Sequence, residues 1–332
     1  MGFDPAIMSA ALNRLRREKD RREAERERLT QEIYAKEPRL RAIDRELQST
    51  AARIVLITFD AEGSSGQALT ELRQRNLNLQ RERAELLTSW GYSIDCLDEK
   101  PACSLCGDKG YLSDGSSCQC LRRLYTEEQN KRLSKLLDLG GQSFENFSLD
   151  WYESQIWPDY GCSPLENMKM VREICWNYAG QFSKDDMNLL FTGAPGLGKT
   201  FLSACIARVV SEKGFSVVYD TAGNVFQQFE SRKFGRDDPY SEDPDREVNR
   251  YLNCDLLIMD DVGSEMNTSF VRAAFYQIVN DRLLNHRKTV LSTNLALSQI
   301  GERYGEAVLS RIRGEYQILR FFGKDIRPRK KG

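Results

Sequence analysis

Residues 193–200 read Gly193-Ala194-Pro195-Gly196-Leu197-Gly198-Lys199-Thr200. A short apolar run, Leu189-Leu190-Phe191, precedes them, and a helix-like stretch, Phe201 to Val210, follows. Strand, glycine-rich loop and helix in that order make a Walker A loop, and no other stretch constrains the fold so tightly. The glycines free backbone N–H groups to point at a polyphosphate, and the helix N-terminus adds its dipole. Lys199 supplies a point charge for the β- and γ-phosphates, and the Thr200 hydroxyl is placed to ligate Mg²⁺. The bland explanation is a glycine turn before a helix. The apolar strand in front argues against it.

A second motif follows. Leu256-Leu257-Ile258-Met259 runs into Asp260-Asp261. A buried parallel strand has this continuous apolar character, and ligands collect at the carboxyl ends of such strands. Asp260 is placed to hold the water shell of Mg²⁺, as a Walker B aspartate. Asp261 is placed to polarise an attacking water. One strand further on, Leu291-Ser292-Thr293 ends in Asn294, which is placed to bridge a γ-phosphate and that water.

From residue 189 onward, strands and helices alternate, which is the signature of a parallel sheet. Five strands are expected, near 189–192, 215–219, 255–260, 288–293 and 316–321. The polar segment Thr221 to Asn253 reads as a helical insertion, with a mobile loop at Arg236–Asp245 too polar to pack.

The first part of the chain is different. Ile33, Leu40, Leu47 and Ile54 recur every seven residues, with Ile43 and Ile57 three places on, as in a heptad seam. Pro38 implies a kink or break. Leu69, Leu72, Asn76, Leu79, Arg83 and Leu86 mark a second helix after a turn at Asp60–Gly66. An antiparallel helical hairpin is the simplest arrangement. The mixed-sign run Arg14 to Arg28 reads as a solvated helix face rather than a nucleic-acid patch.

Four thiols then fall within eighteen residues: Cys103-x2-Cys106-x11-Cys118-x-Cys120. With Gly107, Gly110 and Gly115 between them, they suit a closed, structural Zn²⁺ site. No thioredoxin-like context surrounds the CxxC pair, so redox chemistry is disfavoured. Cys96 is a candidate substitute ligand, whereas Cys175, Cys205 and Cys254 read as core. Leu121–Leu139 and Pro164–Phe182 read as helices. Phe144, Phe147, Trp151 and Tyr152 pack on the core or share in a base pocket. The expected divisions are a coiled-coil hairpin over 1–92, a zinc knuckle over 93–125, linking helices over 126–188 and an ATPase core over 189–332.

Charged residues make up 29% of the 332-residue chain, yet the formal net charge is −1, so any nucleic-acid contact must be local. The chain has no run of eighteen apolar residues and no signal-peptide core. A cytoplasmic protein with no membrane partner is expected, in which nine cysteines serve metal binding and packing rather than disulfides.

Taken together, the Walker A loop, the Asp260-Asp261 strand, the asparagine ending the next strand and Ser310-Arg311-Ile312-Arg313-Gly314 resemble the AAA+ ATPases. The segments NLLFTGAPGLGKTFLSACIA, DLLIMDDVGSE, LSTNL and LRFFGKDIRPRK resemble more specifically the DnaC/DnaI-type replicative helicase loaders. The cysteine knuckle ahead of the ATPase adds to that likeness. The resemblance spans roughly 145–330. It implies Asn294 as sensor 1, Arg311 as an arginine finger reaching a neighbour's γ-phosphate, and Arg327 as the sensor 2 arginine. Glu306-Ala307 stands where many relatives carry Glu-Arg, which leaves Arg303 or Arg313 to share the finger role. With the sequence ending at Gly332, no C-terminal lid domain is expected. The implied function is an ATP-dependent loader of a hexameric DnaB-type helicase onto single-stranded DNA, self-associating through its ATPase domain, with ATP, Mg²⁺ and Zn²⁺ bound. Two alternatives remain open: a transposition helper of the IstB type, and a non-enzymatic adaptor with a decayed ATPase.

Overall fold

The computed structural model describes residues 3–59, 65–137, 141–183, 187–235 and 243–328. Most of the expected loop Arg236–Asp245 and of the turn Asp60–Gly66 lies outside them. The chain forms two compact units, Met1–Leu12 with Gln119–Gly332, and Asn13–Cys118. The elements run α1 (Pro5–Lys36), α2 (Pro38–Phe59), α3 (Ser65–Ser89), α4 (Gln119–Leu133), α5 (Pro164–Gly180), β1 (Asn188–Gly193), α6 (Lys199–Glu212) and β2 (Val217–Thr221). Then come α7 (Ala222–Phe234), α8 (Pro244–Asn253), β3 (Leu256–Val262), α9 (Ser269–Leu284), β4 (Lys288–Thr293), α10 (Leu297–Tyr304), α11 (Glu306–Glu315) and β5 (Tyr316–Phe321).

In the Asn13–Cys118 unit, the helical break falls at Glu37. Its N–H makes the last bond of α1, to the Ile33 carbonyl at 2.8 Å. Pro38 has no N–H with which to continue. The helices α2 and α3 pair antiparallel: Arg39 meets Glu82 at 2.7 Å, Asp44 meets Arg83 at 2.8 Å, and Thr50 meets Asn76 at 2.5 Å. The hairpin is therefore α2–α3, with α1 a helix of its own. Of the heptad positions, Ile33 and Leu40 are buried beside Leu87, while Leu47 is only partly covered. The side chain of Ile54 lies outside the description. The charged run of α1 is laced with spaced pairs such as Arg14–Glu18 and Arg28–Glu32 on a solvated face. Exposed pairs of this kind contribute a few tenths of a kcal/mol, ~0.3–0.5 each.

The larger unit is built on a five-stranded parallel sheet of order β2-β3-β4-β1-β5. Its strands alternate cleanly between two cores. Leu189, Phe191, Val217, Tyr219, Leu256, Ile258 and Val290 face α5 and α6. Leu190, Val218, Leu257, Met259 and Leu291 face α7 to α11. Each fully buried Leu or Phe contributes about 2–3 kcal/mol relative to exposure. Polar caps set where the helices begin. Ser163 and Glu166 form a reciprocal capping box on α5, and Thr268 accepts the Val271 N–H at 3.1 Å on α9. Fully buried Arg282 ties α9 to its neighbours by donating to Thr289 Oγ1 at 2.9 Å and to the Tyr251 carbonyl at 2.6 Å. The first turn of α1 belongs to this unit. The Asp4 N–H donates to the Tyr125 hydroxyl at 2.9 Å, and the Asp4 carboxylate lies 3.7 Å from Arg132 and 3.8 Å from Arg250.

One irregularity bears on the site. The pairing of β3 with β4 runs to Met259 opposite Leu291 and resumes with Val262 opposite Thr293, so β3 carries one extra residue there. Such a bulge bends the strand and re-aims its side chains. Asp261, inside it, takes a left-handed φ of 56°.

Candidate nucleotide-binding site

The loop between β1 and α6 turns only because its glycines permit it. Gly193 has φ 148°, and a Cβ there would stand 1.9 Å from the Phe321 carbonyl oxygen. Gly198 caps α6 at φ 94°, with the Tyr152 hydroxyl 2.9 Å from where a Cβ would be. Side chains at either position would displace the loop. Tyr152 donates to the Leu197 carbonyl at 3.0 Å, and the Ile326 N–H donates to the Gly196 carbonyl at 3.0 Å. The loop is therefore strapped from both sides.

Around it lies a cavity of about 530 Å³, lined by Pro195 to Phe201, Asp260, Asp261, Ser292, Asn294 and Arg327. Asn146, Phe147, Ser148 and Trp151 line it as well. Of the aromatic stretch, Phe144 packs in the core against Trp176, while Phe147 and Trp151 reach the cavity wall.

Lys199 is 7% exposed, and its Nζ donates to the Gly193 carbonyl at 2.5 Å, the Ala194 carbonyl at 2.9 Å and Asn294 Oδ1 at 2.8 Å. Burial pulls its pKa down to about 8, against the opposing pull of Asp260 and Asp261. Thr200 Oγ1 donates to Asp260 Oδ2 at 2.9 Å. Asn294 Nδ2 donates to Asp261 Oδ1 at 3.2 Å. Five residues from two strand ends and one loop thus converge on one space. The residues suit a nucleotide: the cavity is floored by the glycine loop, a cation stands at one end, and a carboxylate–hydroxyl pair of hard oxygens is placed for a Mg²⁺ water shell.

Arg327 lines the same cavity, next to Ile326. Arg311 does not. It lies in α11 with its guanidinium 5.7 Å from the Tyr276 ring centroid. Arg303 is engaged with Glu265, whose carboxylate it meets at 3.4 Å. Arg313 is exposed. Sequence reading missed Tyr219 and Ser292, which both donate to Asp260. Their only signal was an alternation that puts polar groups on otherwise apolar strands.

In the segment 103–120, the Sγ atoms of Cys103, Cys106, Cys118 and Cys120 all lie within 4.8 Å of one another. Tetrahedral Zn–S bonds of about 2.3 Å place sulfurs about 3.8 Å apart, so these thiols fit the ion. Cys103 and Cys118 are 3.6 Å apart. The N–H groups of Cys106 and Leu105 draw the Cys103 thiol down to about 7, toward the thiolate that metal binding requires. Cys96 packs against the core of α2 and α3 instead of joining the cluster. Cys175, Cys205 and Cys254 are buried. Among the described residues, no helix is long and apolar enough to cross a membrane.

The sequence profile of the IstB-like ATP binding proteins matches residues 162–331. The replicative helicase loader DnaC of Buchnera aphidicola (subsp. Baizongia pistaciae) is 29% identical over 148 residues, which is 45% of this chain and 59% of that protein. The DnaC of Escherichia coli K12 is 28% identical over 136 residues, 41% of this chain and 54% of that protein. The chain therefore spans somewhat over half the length of the curated relatives it matches. A crystal structure of the DnaC helicase loader aligns with a TM-score of 0.43 at 22% identity, covering 54% of this chain and 98% of that one. The family profile takes in more than half of the chain, its glycine loop and the Asp260-Asp261 strand included, so the chain belongs to the IstB-like ATP-binding proteins, an AAA+ family in which it is similar to the DnaC-type helicase loaders.

Proposed function

We propose that the protein is a cytoplasmic, ATP-dependent loader that places a hexameric DnaB-type helicase on single-stranded DNA, with hydrolysis acting as an assembly and release switch. The observation that carries this is the convergence of Lys199, Thr200, Asp260, Asp261 and Asn294 on one cavity, in a chain similar to DnaC loaders. Lys199 meets the β- and γ-phosphates. Thr200 and Asp260 hold Mg²⁺, which neutralises charge building on the transferred phosphoryl group. Asp261, oriented by Asn294, aligns the attacking water. Arg327 meets the phosphates from the cavity wall, and Arg311 reaches the site of an adjoining copy. The four-cysteine knuckle holds Zn²⁺ in a structural role.

For the DNA we favour the end of α7 and the start of α9. Phe234 is 59% exposed there, its ring 5.8 Å from that of Phe270, and Lys233 lies over both rings. Aromatic faces beside a cation stack with bases of any sequence.

A second reading draws on the family profile, which is that of IstB-like proteins: a helper that assembles on duplex DNA and recruits a transposase. Capture experiments with the full-length chain and ATP separate the two. Recovery of a replicative helicase supports the loader. Recovery of a transposase without helicase supports the helper and overturns our reading.

A further inference from the structure

An ionised carboxylate offers about four lone-pair sites. In Asp260 every one of them is engaged. Oδ2 accepts from Tyr219 Oη at 2.7 Å and from Thr200 Oγ1 at 2.9 Å. Oδ1 accepts from the Asp261 N–H at 3.0 Å and from Ser292 Oγ. These four donors differ in kind. Tyr219 and Ser292 are buried, one on each strand flanking β3. The Asp261 amide is backbone. Only Thr200 belongs to the phosphate loop.

The sheet explains how such distant residues meet. Tyr219 sits opposite Ile258, and its long side chain reaches two places along β3 to Asp260. Ser292 lies between the two pairs that bracket the bulge, two places past Val290, on the face that Ile258 and Asp260 share. Neither hydroxyl could be replaced by a residue one position away, because the next residue on either strand faces the opposite layer.

We propose that Tyr219 and Ser292 are positioning residues that lock the plane of the Asp260 carboxylate from both flanking strands, leaving the Thr200-facing lone pair as its one exchangeable site toward the Mg²⁺ water shell. This rests on the nucleotide-site reading above and adds to it a second layer of residues that sets metal affinity. Thr200 can turn from the carboxylate to a metal because its hydroxyl alone comes from the first turn of α6, at the edge of the phosphate cavity, and not from the sheet. The other three donors then keep the carboxylate from following it.

The alternative is that the two hydroxyls merely satisfy a buried carboxylate, with no bearing on metal. The experiment compares full-length wild type, Tyr219→Phe and Ser292→Ala by equilibrium binding of ATPγS, once in EDTA and once across a Mg²⁺ titration. Partners of metal-facing carboxylates typically govern affinity by one to two orders of magnitude, so each variant should raise the Mg²⁺ midpoint roughly tenfold. Binding in EDTA reports any direct effect on the nucleotide, and the shift of the Mg²⁺ midpoint should exceed it by about that factor. Unchanged Mg²⁺ midpoints in folded variants would overturn the proposal. If Tyr219→Phe does not fold, Ser292→Ala, a one-oxygen deletion, decides alone. Wild type that binds no ATPγS at any Mg²⁺ concentration would instead overturn the nucleotide-site reading, and this proposal with it.

Discussion

Lys199 Nζ donates to Asn294 Oδ1 at 2.8 Å, so the lysine of the phosphate loop and the residue that follows β4 hold each other directly. The same amide donates to Asp261. One side chain therefore links the cation that would meet phosphate to the carboxylate that would meet water. A group arriving at Lys199 must compete for that ammonium, and what Asn294 gives up on one side it can redirect on the other. Two rigid strand ends and a glycine loop keep the three groups in register.

Asp261→Asn should separate binding from turnover. The amide is isosteric and keeps the cavity shape, but it cannot polarise a water. Positioned acid–base groups are worth about 10²–10⁴ in rate. Single-turnover assays should show hydrolysis slowed by roughly that factor, with ATPγS binding retained. Wild-type hydrolysis by the variant would reverse the assignment of the two aspartates.

The depressed Lys199 pKa fixes the sign of two pH effects. The folded chain releases this proton near pH 8, the unfolded chain near 10.5. Between those values the unfolded state holds more protons, so the Lys199 contribution to stability rises with pH across that window. Below pH 8 the buried charge is a cost borne by the fold. Nucleotide affinity should run the opposite way, weakening as pH climbs past 8, because the neutral amine no longer attracts phosphate. Binding measured from about pH 7.5 to 9.5 should show the decline in wild type and a flat profile in Lys199→Met. A decline of the same size in both would assign it to another group.

Metal analysis of freshly purified protein should find one Zn²⁺ per chain. Structural zinc can contribute about 10 kcal/mol or more to a small module. Cys106→Ser should therefore lose the metal and become protease-sensitive around residues 95–118, while nucleotide binding persists. Less than half an equivalent of zinc in wild type would dismiss the site.

Arg311→Ala tests whether neighbours complete each other's sites. An arginine supplied in trans is worth roughly 10³–10⁵ in rate in well-studied NTPases. A switch needs less, so we expect a smaller factor. The variant should bind ATP yet hydrolyse it poorly, and regain activity when mixed with Lys199→Ala protein, which lends an intact arginine. If Arg311 serves only to stack on Tyr276, a contact typically worth about 0.5–1 kcal/mol at exposed sites, mixing will restore nothing.

The five strands are readable from sequence to within about two residues, because the central strands are buried on both faces and carry apolar runs, while the edge strand β5 keeps Tyr316, Leu319 and Phe321 buried. The Walker loop, the acidic pair and Asn294 are equally readable, since each sits at a strand end where the pattern stops. Tyr219 and Ser292 are not. Their hydroxyls act across strands, and pairing register leaves no local mark. The reach of α1 is also hidden. Asp4 looks like an ordinary N-cap residue, yet its partners are Tyr125, Arg132 and Arg250, more than a hundred residues away. The break in the seven-residue repeat is legible, because Pro38 has no N–H with which to carry α1 onward.

The bulge in β3 resets the parity of the strand. In a regular pleat, neighbours take opposite sides, so two consecutive acids would serve two different layers. One surplus residue lets Asp260 and Asp261 answer to the same chamber, one buried at 6% exposure and the other open to solvent. The difference in exposure between them is thus written in backbone count rather than in side-chain chemistry. An engineer who transplanted the acidic pair onto a flat strand would carry over both letters and lose the grammar. Length between Met259 and Val262 is as much a determinant of this site as the identity of any residue within it.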